Sequence, residues 1–174
     1  MPQIRCAAPA ADGKKVSLLD TDHVFGVGGD QKWVWKAFLR GHNVLFMDPY
    51  DDPTWAPILA GQGVGVRDAE APRRAMGLTR RYAGRMDLAA SRPAPELAST
   101  GYCLAVPGRE YLAYLPEGGR VELDLTGTRG KLAVEWVHPV TGAVTAGDAV
   151  EGGARRTLEA PFGGDAVVDL RASE

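Results

Sequence analysis

The residues best suited to chemistry fall in two short polar elbows, Asp20-Thr21-Asp22-His23 and Asp48-Pro49-Tyr50-Asp51-Asp52. Closely spaced carboxylates can share general acid–base work, attack as a nucleophile or hold a cation. A metal set of Asp20, Asp22 and His23 is disfavoured, because adjacent residues at a strand end alternate in direction and cannot all point inward. His23 then reads first as a hydrogen-bonded loop residue, and no metal is expected. Gly26, Gly28 and Gly29 follow the first elbow, but the GxGxxG spacing of a dinucleotide loop is absent and Asp30 would repel a phosphate. No cofactor is expected.

These elbows must be positioned by the stretch Lys15 to Pro53. Val16, Leu18 and Leu19 form an apolar run that ends in Asp20. Asp30 is placed to N-cap a helix over 31–40, which Gly41 would terminate. A second apolar run, 44–47, ends in Asp48. Two short buried strands joined by a helix describe a βαβ unit with parallel strands. Both strands end in carboxylates, and α/β proteins place their chemistry at the C-terminal ends of such strands. The helix carries an apolar stripe of Val34, Ala37 and Phe38 beside Trp33, and a basic face of Lys32, Lys36 and Arg40 that reads as solvated.

Composition narrows the partners. Twenty Lys and Arg against 22 Asp and Glu leave a net charge of −2, which gives no reason to expect nucleic acid or an anionic membrane. No run reaches the ~20 apolar residues of a membrane span, and MPQIRCAAPAADGKK lacks the apolar core of a signal peptide. The compartment stays open. Cys6 and Cys103 are far apart and read as inert thiols. A parallel strand needs neighbours, and nothing before Lys15 supplies one, so the chain is expected to begin inside a domain.

Beyond the second elbow, 53–67 reads as a loop. A helix is expected over 71–90, with Met76, Thr79, Ala83, Met86 and Ala90 as its apolar stripe and five arginines on its surface. Arg92-Pro93-Ala94-Pro95 then reads as a stiff linker. Short strands are expected at 100–106, 110–115, 120–125, 131–137, 143–146, 154–160 and 165–171. Turns fall at Gly118-Gly119, Gly127 to Gly130, Gly142, Gly152-Gly153 and Gly163-Gly164. Short, evenly spaced strands of this kind predict a small antiparallel β-sandwich. No catalytic cluster is visible in it.

Leu18-Leu19-Asp20-Thr21-Asp22-His23-Val24 resembles the nucleophile motif of haloacid-dehalogenase-type phosphohydrolases. That would make Asp20 the nucleophile, Asp22 the acid/base, and Asp51 and Asp52 magnesium ligands. Such a core needs more parallel strands than the two found here, and the match is short. A longer resemblance spans nearly all of 13–172. Asp20 to His23, Gly28-Gly-Asp30, Trp33 to Lys36, Phe38 to Gly41 and Phe46 to Tyr50 resemble the last two units of a glycoside-hydrolase-like, apiosidase-like (β/α)8 barrel. Arg81-Tyr82 to Ala89 is similar to its closing helix. Leu97 to Cys103, Glu110 to Leu112 and Val134 to Trp136 resemble the collagen-binding-type domain of a collagenase that follows such barrels.

The resemblance implies an α/β plus all-β chain. Residues 1–91 would be the C-terminal fragment of the barrel and 96–174 the β-sandwich. It implies retaining hydrolysis of a glycosidic bond, with Asp20 or Asp22 as nucleophile and His23, Asp48 and Tyr50 contacting a carbohydrate substrate. A retaining site needs a second carboxylate ~5–5.5 Å away, and a whole barrel takes about 250 residues. The acid/base residue would therefore lie outside this chain, leaving it catalytically silent alone and prone to self-association through the incomplete barrel. The alternative is a non-catalytic module that binds a polysaccharide or collagen-like ligand or serves as a structural support.

Overall fold

The computed structural model describes residues 10–20, 30–45 and 70–172, with Asp20 described by its backbone. Its first unit is strand β1 (Leu18–Asp20), helix α1 (Gln31–Leu39) and strand β2 (Asn43–Leu45). β1 and β2 pair in parallel, with Leu18 opposite Asn43 and Asp20 opposite Leu45. The first strand is shorter than the apolar run, since Val16 precedes it and is 81% exposed. Asp30 caps α1 by accepting from the Trp33 amide at 2.8 Å, which satisfies one of the helix's orphan N–H groups. Gly41 ends it at φ +80, and a Cβ there would stand 3.0 Å from Pro93 Cγ and 3.2 Å from Ala11 Cβ. A glycine is needed both for the left-handed turn and for this close approach.

Helix α2 spans Glu70–Ala83, ending well before the expected residue 90. The chain turns after it, and Asp87 caps that turn by accepting from the Ala90 amide at 3.2 Å. The buried positions are Pro72, Ala75, Thr79 and Tyr82, so the buried face includes Tyr82 where the expected stripe ran through Ala83.

The remaining strands are β3 (Arg92–Pro93), β4 (Cys103–Val106), β5 (Glu110–Leu115), β6 (Arg120–Asp124), β7 (Lys131–Val137), β8 (Val144–Glu151), β9 (Arg155–Glu159) and β10 (Ala166–Ala172). Six of them form an antiparallel sheet in the order β3-β4-β5-β10-β7-β8, and β6 and β9 form a separate ribbon. Arg92 to Pro95 is therefore no free linker. Arg92 and Pro93 pair with Ala105 and Leu104, the Ala94 amide donates to the Cys103 carbonyl at 2.8 Å, and Ala94 is buried. Proline is tolerated there because β3 is an edge strand.

The central strands are buried on both faces, and their alternation sorts them into two cores. Tyr111, Ala113 and Leu115 of β5, with Ala166, Val168 and Leu170 of β10, meet Val121, Leu123 and Leu125 from β6 and the residue that follows it. Leu112, Tyr114 and Val167 face the other way, onto Trp33, Val34, Trp35 and Leu39 of α1 and Ala75 and Tyr82 of α2. At the open end of the ribbon, Gly118 (φ +67) lies so close to the β9–β10 loop that a Cβ would stand 2.0 Å from the Gly164 carbonyl oxygen.

Trp35 is the centre of the helix-side core. It is fully buried, its indole donates to the Pro139 carbonyl at 2.9 Å, and its ring stacks on Tyr114 at 6.3 Å and tilts against Tyr82 at 6.2 Å. Such aromatic pairs add about 0.5–1.5 kcal/mol each beyond area burial. Replacing Trp35 with alanine should cost about 3–5 kcal/mol, read as a drop in urea midpoint with the slope unchanged. Because helices and sheet share this core, far- and near-ultraviolet circular dichroism should lose signal together in that titration.

Candidate active site

The βαβ unit sets one end of the molecule. β1 and β2 run in parallel, so the chain leaves both strands at the same end, after Asp20 and after Leu45. Helix α1 starts back at that end from Asp30. Asp20 thus closes the first strand beside Leu45 of the second. Asp22, His23, Asp48 and Tyr50, together with Asp51 and Asp52, lie outside the described residues. Asp30 is committed to capping its own helix.

Polar groups of the sheet half gather beside the start of α1. The Tyr114 hydroxyl donates to Asp165 Oδ2 at 2.7 Å, and Gln31 Nε2 donates to the same oxygen at 3.4 Å. Lys32 Nζ pairs with Glu117 Oε1 at 3.0 Å. Burial drives the Tyr114 phenol far above its ordinary range, helped by the hydrogen bond to Asp165 and the charges of Asp165, Asp30 and Glu117. A neutral donor locked onto a carboxylate, it fixes the first turn of α1 to β5. The basic helix face is accordingly not simply solvated, since Lys36 and Arg40 lie 5.3 and 4.8 Å from the ring centre of Tyr102.

A second polar cluster lies beneath the end of α2. Arg85 reaches Glu135 at 2.8 Å and Asp169 at 3.6 Å, and these acids are register neighbours on β7 and β10. Arg171 Nε donates to Asp169 Oδ2 at 3.0 Å, its Nη1 donates to the Arg85 carbonyl, and Arg85 covers the Tyr82 ring at 5.1 Å. Two cations and two carboxylates balance. The Tyr82 hydroxyl and Asp169 Oδ1 are buried without a hydrogen-bond partner among the described residues. Sequence patterning passed over this cluster, although an ionisable residue inside Val167-Val168-Asp169-Leu170 was a usable signal.

The other surfaces carry little chemistry. On the outer face of the ribbon, Arg120 pairs with Glu159 at 3.0 Å, and Arg155 with Glu122 and Asp124 at 3.1 and 3.5 Å. Tyr111 and Tyr114 face opposite cores, as the alternation requires, and both are buried. Cys103 is buried and its thiol is pushed up to about 12, chiefly by burial, so it stays protonated and inert. Among the described residues no group of three metal-ligating side chains comes together, and no helix is long and apolar enough to cross a membrane.

With this geometry, the chain superimposes on a solved structure described as a glycoside hydrolase, with a TM-score of 0.62 over 82% of this chain at 11% identity. It matches a glycoside hydrolase family 5 protein from Bacteroides vulgatus ATCC 8482 equally well, at TM-score 0.62, 82% coverage and 11% identity. The chain shares its fold with glycoside hydrolases. It spans about a third of their length, 36% and 35% of the two chains. No protein-family model and no curated protein matches the sequence.

Asp169 gives a pH signature. Burial raises its pKa above the ordinary 3.8, opposed by Arg171 and then Arg85, with Glu135 raising it further. The folded state therefore holds that proton more tightly than the unfolded chain. Its contribution to stability is complete below about the ordinary value and is lost as pH rises through the raised one. Asp169→Asn should remove this loss, so the variant should gain on the wild type in denaturant midpoint as pH climbs from the ordinary carboxylate range to neutrality. A midpoint difference that is flat with pH would contradict the sign.

Proposed function

We propose that the chain is the C-terminal part of a retaining glycoside hydrolase. Residues 1–91 supply the last two β/α units of a (β/α)8 barrel of the apiosidase-like kind. Residues 96–174 form a β-sandwich of the collagen-binding type that acts as a structural wall for the barrel. The observation that carries this reading is the match to glycoside hydrolases over 82% of the chain, joined to a parallel βαβ unit whose first strand ends in Asp20.

In this reading Asp20 or Asp22 attacks the anomeric carbon, and His23, Asp48 and Tyr50 contact the sugar. The proton for the leaving group comes from a second carboxylate ~5–5.5 Å away, carried by a barrel unit outside this chain. Neither a metal nor a cofactor has a part in that chemistry. The pairing of Tyr102, Tyr114 and Trp35 with one another and with Lys36 and Arg40 supports a buttressing role for the sheet, because these rings are spent on packing α1 rather than offered to a ligand.

General acid catalysis contributes about 10²–10⁴-fold, so the chain alone should show no turnover on a panel of aryl glycosides. A polypeptide that joins this chain to its preceding β/α units should hydrolyse at least one of them. The Asp20→Asn, Asp22→Asn double variant of that longer polypeptide should not. Retained activity in the double variant would remove these carboxylates from the mechanism, and turnover by the short chain would show that it needs no second half.

A further inference from the structure

Three buried polar atoms near the end of α2 have no hydrogen-bond partner among the described residues: the Tyr82 hydroxyl, Asp169 Oδ1 and Arg171 Nη2. Tyr82 is fully buried and Asp169 is 2% exposed. Native interiors rarely leave such atoms unpaired, because each has given up its solvent bonds for nothing. Two of them belong to one ion pair. Arg171 Nε donates to Asp169 Oδ2 at 3.0 Å, while Nη1 is turned to the Arg85 carbonyl. On a guanidinium, Nε and Nη2 share an edge, and a carboxylate facing that edge can take a bond from each. Here the first bond is made and the second is not, which is why Oδ1 and Nη2 are left over together. Tyr82 meets the pair from the helix. Arg85 covers its ring at 5.1 Å and reaches Asp169 Oδ2 at 3.6 Å. Burial raises the Tyr82 phenol, Arg85 opposes, and the Asp169 charge raises it further, so the hydroxyl stays protonated in the field of that carboxylate.

We propose that one ordered water molecule binds among these three atoms, accepting from Arg171 Nη2, donating to Asp169 Oδ1 and sharing a third bond with the Tyr82 hydroxyl. The set combines an acceptor-only carboxylate, a donor-only guanidinium and a hydroxyl that can do either. Only a small molecule that both donates and accepts satisfies all of them. A metal ion would face the guanidinium, and an anion would face the carboxylate. Three bonds is also the usual number for a buried water. The water would complete the half-made fork between Arg171 and Asp169 and tie α2 to β10 through Tyr82. It lies in the sheet half of the chain and does not depend on the hydrolytic reading.

Tyr82→Phe tests this by the sign of its effect. A hydroxyl bonded to a water loses that bond when it is removed. The unfolding equilibrium constant of the full chain, from urea titration at neutral pH, should then rise about fivefold. An unpaired hydroxyl is instead a burden, and removing it would leave stability unchanged or improve it. A high-resolution crystal structure of the wild type should show one water within about 3.2 Å of all three atoms. Stability equal to or above wild type in Tyr82→Phe would overturn the proposal. So would a crystal structure in which the water is missing, fails to reach any one of the three atoms, or is replaced by a direct bond between two of them.

Discussion

The fold depends on the middle strands of the six-stranded sheet having no solvent face. Every residue of β4, and all but the first of β5, is buried. An antiparallel sheet can leave one side wet, and the middle strands here do not: the β6–β9 ribbon covers one side and the helices the other, while β8 at the edge is largely exposed. Trp35 is the wedge on the helix side, held at its nitrogen by Pro139 and at its faces by Tyr82 and Tyr114. The βαβ unit is therefore attached to the sheet by its helix, while its strands stay at the margin.

Two polar fastenings complete the attachment, and their chemistry differs. At the start of α1 a neutral phenol meets an acceptor, Asp165, that can keep contact with water. Beneath α2 a balanced set of half-exposed ions gathers around Asp169, whose carboxylate alone is taken out of water. Buried ion sets often cost as much as they return in stability, yet leaving one partner alone costs more. The raised proton affinity of Asp169 is the sign of that cost. The first fastening sets the position of the helix that follows the Asp20 elbow, and the second sets where α2 ends.

Much of this was legible in the sequence because periodicity is a local property. The strands 110–115 and 131–137 match residue for residue, and Asp30 and Gly41 bracket α1 as capping chemistry demands. The misreadings arose where distant partners decide the outcome. Arg92-Pro93-Ala94-Pro95 has the composition of a linker, but an edge of β4 was waiting for it. The stripe on α2 shifted because Tyr82 found Trp35, which lies far along the chain. Basic residues at 32, 36 and 40 were spoken for by Glu117 and Tyr102, which lie far along the chain. As for the site, the sequence located the end of β1 where the carboxylates begin. Asp20 is there, at the C-terminal end of a parallel strand, and the roles of its neighbours rest on chemistry rather than on position.

The contact between Gly118 and Gly164 bears on how such a chain can change over generations. With a Cβ position 2.0 Å from the opposing carbonyl oxygen, any single replacement at 118 collides with backbone rather than with a side chain that could turn aside. The β5–β6 and β9–β10 loops therefore cannot drift independently. Lengthening or reshaping one demands a matching change in the other, so the two should be inherited as a unit. Because Glu117 and Asp165 flank that contact and both reach the first turn of α1, the same coupling ties drift in the sheet's loops to the helix behind the Asp20 elbow.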